Sequence, residues 1–436
     1  MLEGKARGQD DTERGCRLQA RRFRKSQIPK PGVRASRNND KLEDVVEFEA
    51  NISEKGLCRI EIEGERIVSV QSVGPLDDRK PYVSPGFIDI QLNGFAGIDF
   101  CDANLDPRKA PNILPALWKT GVTTFCPTVI TNSQENLLRC FHALEEARRI
   151  DARFARSAPC YHLEGPYISP GGSRGAHNPE LMRPPNWEEF LELQGAAGGR
   201  IGIVTLAPEL PGALEFIRRA RAAGLVVSLG HTDATPEQIH QGAEAGAQLS
   251  THLGNGCPQS IDRHQTPLWA QLAIDPLAAS LICDGFHLPP DLVRVIQRIK
   301  GIDRCILITD AVHVAGLSPG RYSLVGLEID LLDTGQVVAA DRHSMAGSAL
   351  SMNRAVQVFR NYADVPLGQA IRAATASPAR LLHRYETCSE VAAGQPANLT
   401  MFRLGGDALA IEKVILGGEI VYASEGSSGV ASRPKD

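Results

Sequence analysis

Three features that would assign a chain to a class at once are missing from this sequence. No uninterrupted apolar run approaches the roughly 18–20 residues that span a bilayer, so we expect no membrane protein. The ten cysteines are scattered without a CxxC pair, which favours reduced thiols in a cytoplasmic protein over a disulfide framework. No GxGxxG turn follows the first β-type run, which disfavours a doubly wound dinucleotide-binding sheet.

The composition and the charge distribution suit an enzyme better than a nucleic-acid-binding protein. The 436 residues are 42% hydrophobic and 22% charged, enough for one large domain and a smaller one. Residues 1–41 carry a balance of +7 and few apolar residues, which predicts a disordered basic tail. The remainder carries −11 and would repel a phosphate backbone, so we expect no nucleic-acid partner.

Strand-type segments lie towards both ends of the chain. Val45–Gly74 has short alternating runs broken by a turn, and similar patterns return in Ala397–Arg403 and Lys413–Tyr422. We predict one small β domain assembled from residues 42–81 and 385–425. Two unrelated β extensions are the alternative. Residues 426–436 are predicted to be a flexible tail.

The middle of the chain alternates strand-type and helix-type segments. Helical periodicity occurs, for example, in Leu214–Ala223 and Leu292–Lys300. The apolar, β-branched runs are Tyr82–Ile90, Val122–Ile130, Cys160–Leu163, Ile201–Leu206, Leu225–Leu229, Ala247–Ser250, Ala279–Cys283 and Cys305–Ile308. Eight such runs predict an α/β fold, a (β/α)₈ TIM-type barrel over residues 82–384, with a doubly wound open sheet as the alternative.

Polar residues follow six of these runs. A barrel builds its active site from the carboxyl ends of its strands, so residues far apart in sequence can converge there. The candidates are Gln91 and Asn93 at the end of the first run, Glu164 after the third, His231 after the fifth, His252 after the sixth, His287 after the seventh and Asp310 after the eighth.

These residue types suit metal-dependent hydrolysis of an amide. Glu164, His231 and His252 would bind one divalent cation such as Zn²⁺, leaving a position for a water whose pKa falls towards about 7. Asp310 could take the proton of that water and pass it to the leaving amine. His287 could polarise the substrate carbonyl.

A series of motifs in the chain resembles those of a known family. They resemble, in order, the motifs of the N-acetylglucosamine-6-phosphate deacetylases within the amidohydrolase superfamily, and the similarity covers roughly residues 45–422. The motifs are PGFIDIQLNG (85–94), HLEGPY (162–167), RGAHNP (174–179), LAPE (206–209), GHTDAT (230–235), THLGNG (251–256), DGFH (284–287), TDA (309–311), AGSALSM (346–352), ATASPARLL (374–382) and AGQPANLTMF (393–402).

The resemblance implies one metal ion per chain. Most of the superfamily has an HxH pair after the first strand, whereas this family has QxN, here Gln91-Leu92-Asn93. Amides are poor metal ligands, so no second metal ion is expected. The missing HxH also makes a nucleobase deaminase a poor alternative. The ligands implied are Glu164, His231 and His252, with Zn²⁺, Fe²⁺ or another divalent ion.

The resemblance also implies the substrate and the residues that bind it. It implies a phosphorylated amino sugar, Asp310 as acid and base, His287 at the acetyl carbonyl, and a homodimer in which an arginine reaches across the interface. The substrate-binding residues implied are Gln91, Asn93, His177, Asn255, Gly256, Arg263 and His287.

The chain departs from the family in the loop after His252. The family has Tyr-Asn-Ala-Met there, and this chain has Gly-Asn-Gly-Cys at 254–257, which keeps Asn255 but leaves more room. The predicted activity is hydrolysis of N-acetylglucosamine 6-phosphate to glucosamine 6-phosphate and acetate. The alternatives are an amidohydrolase for a related N-acetylated amino sugar or another amide, and an inactive barrel used for binding.

Overall fold

The structure, a computed structural model, describes residues 45–340, 344–383, 389–425 and 432–433. The predicted basic tail, residues 1–41, lies outside them. The strands are β1 Val45–Ile52, β2 Gly56–Glu63, β3 Arg66–Gly74, β4 Tyr82–Pro85, β5 Phe87–Leu92, β6 Gly94–Phe95, β7 Ile98–Asp99, β8 Val122–Ile130, β9 Tyr161–Glu164, β10 Ile201–Leu206, β11 Val226–Leu229, β12 Leu249–Ser250, β13 Ala278–Ile282, β14 Cys305–Ile308, β15 Gly320–Leu324, β16 Leu327–Leu331, β17 Val337–Ala339, β18 Leu399–Arg403, β19 Ala410–Leu416, β20 Glu419–Ala423 and β21 Ser432–Arg433.

Helices alternate with the strands through the middle of the chain. The α-helices are α1 Leu114–Trp118, α2 Gln134–Ile150, α3 Ala152–Ser157, α4 Trp187–Ala196, α5 Ala213–Ala222, α6 Pro236–Ala245, α7 Pro267–Ala273, α8 Pro290–Lys300, α9 Met352–Ala363, α10 Leu367–Ala373 and α11 Ala376–Leu381. Short 3₁₀ helices cover Ala110–Ile113, Pro179–Leu181 and Ile302–Arg304. None of the helices in the described parts of the chain is long and apolar enough to cross a membrane.

Eight parallel strands form the central barrel. Their order is β5, β8, β9, β10, β11, β12, β13 and β14, each beside its neighbour in sequence. Main-chain hydrogen bonds close the ring where the last strand meets the first: Asp310 N donates to Gln91 O (3.0 Å), and Asn93 N donates to Ala311 O (2.9 Å). The barrel strands are almost entirely buried, which fits their continuous apolar runs. The predicted (β/α)₈ barrel is confirmed.

One predicted barrel strand is two strands in the structure. Tyr82–Ile90 was expected to be a single run, but the chain leaves one sheet and enters another at Gly86. A Cβ at Gly86 would lie 2.1 Å from Thr123 Oγ1, so the Thr123 side chain occupies the space that any other residue here would need. Strand β4 therefore pairs with β18 and β1 in the smaller sheet, and β5 alone enters the barrel.

The smaller sheet takes strands from both ends of the chain. Its order is β20-β19-β18-β4-β1-β2-β3, and β21 pairs antiparallel with β1. Its buried side chains, such as Phe48, Ile60, Leu399 and Ile415, form a core of their own. The predicted small β domain built from both termini is confirmed, although its boundaries remain predictions. Strand β21 lies within residues 426–436, which were predicted to be a flexible tail.

A three-stranded antiparallel sheet follows the last barrel strand and was not predicted. It consists of β15, β16 and β17 and has a small apolar core that includes Leu324, Ile329 and Val337. Its strands are only three to five residues long and partly exposed, so they give a weak periodic signal. This sheet contributes Leu324 to the wall of the cavity described next.

Candidate active site

The predicted polar residues meet at the carboxyl ends of the barrel strands. Glu164 is the last residue of β9, and His231, His252 and Asp310 each come two residues after the end of a strand. These last three have φ angles of +49°, +30° and +50°. Residues other than glycine rarely adopt this left-handed backbone conformation. Such backbone strain is characteristic of functional sites held by a rigid scaffold.

Glu164, His231 and His252 form a compact cluster of donor atoms. Glu164 Oε1 lies 3.2 Å from His231 Nε2 and 3.1 Å from His252 Nε2, and the two Nε2 atoms are 3.1 Å apart. Four ligands at 2.0–2.1 Å in a tetrahedron would lie about 3.3 Å from one another. The three atoms are therefore spaced like three corners of a tetrahedral metal site. Theirs is the one such group among the described residues.

The protonation of His231 also fits a metal ligand. Its Nδ1 lies 3.0 Å from the carbonyl oxygen of Ser173, which can only accept a hydrogen bond. The hydrogen is therefore on Nδ1, which leaves Nε2 as the nitrogen that can face a cation. Burial acts to lower the pKa of His231, but Glu164 beside the ring raises it in the absence of a cation. Burial acts to raise the pKa of Glu164, but the two imidazoles beside it hold that pKa below its ordinary value. The donor set thus fits a divalent cation.

Asp310 lies beside the cluster and is held by two amides. Gln91 Nε2 and Asn93 Nδ2 donate to Asp310 Oδ1 over 3.1 and 2.8 Å, and Gln91 Nε2 also donates to Glu164 Oε1 over 2.9 Å. Burial, helped by the charge of Glu164, raises the pKa of Asp310 to about 6. A carboxyl group with this pKa can both accept and return a proton near neutrality.

His287 is oriented by an acidic residue that the sequence analysis did not single out. Its Nδ1 donates to Asp284 Oδ2 over 2.6 Å. Burial would raise the pKa of Asp284, but the hydrogen bond from His287 keeps it below its ordinary value. Asp284 stands three residues before His287 in the DGFH motif, so a carboxylate close to a candidate histidine was the available signal.

A cavity of about 650 Å³ opens above the cluster and Asp310. Four residues that were predicted to bind substrate, Asn93, Asn255, Gly256 and His287, line it. His177 also lines it. Burial lowers the pKa of His177 to about 3, which keeps its ring neutral, and its Nδ1 is 2.8 Å from Thr131 Oγ1.

Two predicted substrate-binding residues lie elsewhere. Gln91 is fully buried and contacts the carboxyl groups of Glu164 and Asp310. Arg263 is exposed and does not enter the cavity of its own chain. Its carbonyl oxygen accepts a hydrogen bond from Trp269 Nε1 over 3.1 Å. Sequence reasoning also missed Ser173 and Thr131, for which single polar residues in loops gave no signal.

Gly256 packs directly against two of the candidate ligands. A Cβ there would lie 2.8 Å from both His231 N and His252 Cε1. We expect Gly256→Ala to displace the His252 ring and to lower metal affinity by about 10- to 100-fold, the scale found when groups that support a ligand are changed. Competition with a chromogenic chelator measures the metal affinity.

Gly172→Ala is the matched control for that variant. Gly172 lies in the facing loop of the same cavity, and a Cβ there would meet nothing closer than Pro258 Cβ at 3.9 Å. Its metal affinity should stay at the wild-type value. If the two variants bind the metal ion with equal affinity, the contact between Gly256 and His252 does not determine the metal affinity.

Comparison with known proteins defines first the class and then the family. The model of the amidohydrolase family matches residues 82–421. N-acetylglucosamine-6-phosphate deacetylase of Bacillus subtilis (strain 168) is 32% identical over 323 residues, 73% of this chain and 79% of that protein. N-acetylgalactosamine-6-phosphate deacetylase of Escherichia coli O157:H7 is 34% identical over 307 residues, 68% of this chain and 77% of that protein.

A solved structure agrees with these relatives. N-acetyl-D-glucosamine-6-phosphate deacetylase of Mycobacterium smegmatis, in complex with N-acetyl-D-glucosamine-6-phosphate, is similar with a TM-score of 0.78 and 32% identity, over 87% of this chain and 99% of that one. The chain therefore belongs to the amidohydrolase family, and within it to the N-acetylglucosamine-6-phosphate deacetylases. A divalent metal ion is accordingly implied, and the Glu164, His231 and His252 cluster fits it.

Proposed function

We propose that this chain hydrolyses the acetamide of N-acetylglucosamine 6-phosphate and releases acetate and glucosamine 6-phosphate. The observation that carries the proposal is the three-residue donor set beside the carboxyl group of Asp310, at the floor of a cavity large enough for a sugar phosphate. The similar proteins that bear this activity in their names support the choice of substrate.

Zn²⁺ is the cation that we propose for the cluster, held by Glu164, His231 and His252. One carboxylate and two imidazoles with tetrahedral spacing suit Zn²⁺, and the same ligands also accept Fe²⁺. When bound, such a cation supplies Lewis acidity and a water of lowered pKa. The Ser173 carbonyl accepts from His231 Nδ1 and so directs Nε2 of this ring towards the cation.

Asp310 is proposed to move the proton in both halves of the reaction. Both amide donors contact Oδ1, which leaves Oδ2 to accept a proton from the attacking water and to deliver it to the leaving nitrogen. His287 is proposed to donate from Nε2 to the acetyl oxygen. The Asp284 carboxylate accepts from Nδ1 and orients the ring for this contact.

The sugar phosphate is proposed to bind between the loops above the floor. His177 and Asn255 are placed to contact the sugar, and the main chain at Gly256 to contact its phosphate, while Gln91 and Asn93 position Asp310. Asn255 Nδ2 lies 3.4 Å from the carbonyl oxygen of His252, which keeps this side chain close to the metal ligands.

Arg263 is proposed to bind the phosphate of a substrate in the partner subunit of a homodimer. Two apolar side chains close to Arg263 in the chain are exposed to solvent and would be covered in such a dimer. They are Ile261 and Trp269, which are 42% and 48% exposed.

A cytoplasmic location is a separate proposal. It is based on the ten cysteines, which are scattered along the chain without a CxxC pair.

Arg263→Ala is expected to raise KM for the phosphorylated sugar by about tenfold or more, the scale of a hydrogen bond to a charged group. KM for N-acetylglucosamine should hardly change. Coexpression with an Asp310→Asn chain tests the reach across the dimer, because the Asp310→Asn chain would supply its Arg263 to the partner's intact site. Mixed dimers should regain a low KM. Mixed dimers that keep the high KM would exclude action across the interface.

A substrate screen tests the proposed function as a whole. Metal-loaded protein would be assayed for acetate release from N-acetylglucosamine and N-acetylgalactosamine, each with and without a 6-phosphate, with Asp310→Asn as the blank. We expect the highest kcat/KM on N-acetylglucosamine 6-phosphate. Equal rates with and without the phosphate would contradict a phosphate site and favour another amide substrate.

N-acetylgalactosamine 6-phosphate is the second candidate substrate. The two sugars differ only at the 4-hydroxyl, and the loop at 254–257 lacks the family's tyrosine. Gly254 has a φ of +96°, and a Cβ there would lie 3.0 Å from Leu288 Cδ2, so the loop cannot easily regain a side chain at this position. The relative that acts on N-acetylgalactosamine 6-phosphate, by its name, is 34% identical to this chain.

A further inference from the structure

Positive charge at the mouth of the cavity comes from one side chain. Of the described residues that line the cavity, Arg174 is the one with a guanidinium or ammonium group. The carboxylates among these lining residues are Glu164 and Asp310, and both lie at the floor. Among the lining residues, positive charge is therefore offered by Arg174, while the carboxylates are concentrated around the metal site. A nearby carboxylate outside the lining, that of Asp233, accepts a hydrogen bond from Ser169 Oγ.

The loop that carries Arg174 is fixed on both sides of it. Ser169 Oγ donates to Asp233 Oδ2 over 2.5 Å, the Ser173 carbonyl accepts from His231 Nδ1, and the buried His177 ring contacts Thr131. The backbone at position 174 is thus tied to the metal site through its neighbour Ser173. The main chain at Arg174 therefore has a defined position relative to the metal site.

The guanidinium group of Arg174 has no acidic partner in the described part of the chain. None of the ion pairs there includes it, and its hydrogen bond to the carbonyl of Pro170 is long, at 3.5 Å. Cys257, Pro258 and Gln259, which carry no charge, also line the cavity. A Cβ added at Gly172 would lie 3.9 Å from Pro258 Cβ, so the loop that carries Arg174 and the loop at 257–259 are neighbours. The charge is available to a ligand.

The shape of the substrate places an anion at this end of the cavity. In a 2-acetamido sugar 6-phosphate, ring carbons 2 and 5 lie opposite each other, and carbon 5 carries the CH₂-phosphate arm. When the acetamide is at the cluster and Asp310, the phosphate therefore points away from the floor and towards the mouth.

We propose that Arg174 is a specificity-determining residue that binds the substrate phosphate from within the same chain. This inference rests on the proposed function and adds a contact made by the catalytic chain itself to the one proposed for Arg263 of the partner. A planar guanidinium suits bidentate contact with phosphate, and Lys at this position would keep the charge but lose the fork.

The test compares Arg174→Ala and Arg174→Lys with Arg218→Ala, an exposed arginine on the outer helix α5. KM for N-acetylglucosamine 6-phosphate should rise by about tenfold or more in Arg174→Ala and by less in Arg174→Lys, with kcat and metal content near wild type. KM for N-acetylglucosamine should not change. A positive result also requires that Arg218→Ala leave both KM values unaltered.

Binding without turnover separates this inference from the proposed function. Calorimetry would measure N-acetylglucosamine 6-phosphate binding to the metal-loaded Asp310→Asn protein with and without Arg174→Ala, and we expect Kd to rise by about tenfold or more. An unchanged Kd, or an unchanged preference for the phosphorylated sugar, would overturn the role of Arg174 while leaving the proposed function in place. A wild-type protein that hydrolyses neither sugar would overturn the proposed function itself.

Discussion

Replacing Asp310 by asparagine is expected to lower kcat by at least about 10²-fold, the usual contribution of general acid–base catalysis. Asparagine has nearly the same shape, so Gln91 and Asn93 keep a hydrogen-bonding partner at this position. It cannot take a proton from water or return one to the leaving amine. Metal content should stay near wild type, because the three ligands are on other strands. Steady-state kinetics together with metal analysis of the purified variant measure both effects.

Asp89→Asn is the matched control for that experiment. Asp89 is also a buried carboxyl group at the closing seam of the barrel, and burial raises its pKa to about 7. It accepts hydrogen bonds from the hydroxyl and main chain of Thr309 and does not line the cavity. Its replacement should affect the melting temperature more than kcat. Near-normal turnover of Asp310→Asn, or equal losses in both variants, would remove Asp310 from its proposed role.

The repeating pattern of the sequence was sufficient to predict the barrel and the convergence of its strand ends. Continuous apolar runs identify parallel strands buried on both faces, and in a barrel the residues that follow them must share one mouth. Glu164, His231 and His252 could therefore be grouped although 88 residues separate the first from the last. This inference needs only the order of the strands and not the details of any loop.

The finer features of the site could not be read from the sequence. The left-handed φ angles at His231, His252 and Asp310 depend on how each strand ends. The residue types at these positions do not indicate such backbone angles. The hydrogen bond from His231 to the Ser173 carbonyl uses a main-chain atom, which any residue could supply. Gly86 is a different case: a glycine within an apolar run was a visible sign of an interruption of the strand, and it lies at the break between β4 and β5, packed against the Thr123 side chain.

The amides after the first strand support the proposal of a single cation. Gln91 Nε2 bridges the carboxyl groups of Glu164 and Asp310. Most of the superfamily has an HxH pair at this place, and imidazoles, unlike amides, are good ligands for a second metal ion. A neutral amide donates hydrogen bonds to both carboxylates and so reduces their mutual repulsion without a second positive ion.

Removal of the metal ion is expected to abolish activity, and one equivalent of Zn²⁺ per chain should restore it. Without the cation, neither the Lewis acid nor the water of lowered pKa is available, and Asp310 and His287 have no activated nucleophile on which to act. The measurement is a titration of chelator-treated protein, with activity and bound metal followed together. Both should reach their plateau at one equivalent, because the described residues offer one cluster of three ligands.

Two histidine variants locate the site of that single equivalent. His252→Ala removes a buried ligand and should give protein with little bound metal and no activity. His264→Ala removes an exposed histidine twelve positions further along the chain and should bind one equivalent as wild type does. The metal-loaded protein should also melt at a higher temperature, since a ligand at 100 times its Kd stabilises the folded state by about 2.7 kcal/mol. Two equivalents that are both needed for activity would contradict a mononuclear site, and full activity in His252→Ala would place the metal elsewhere.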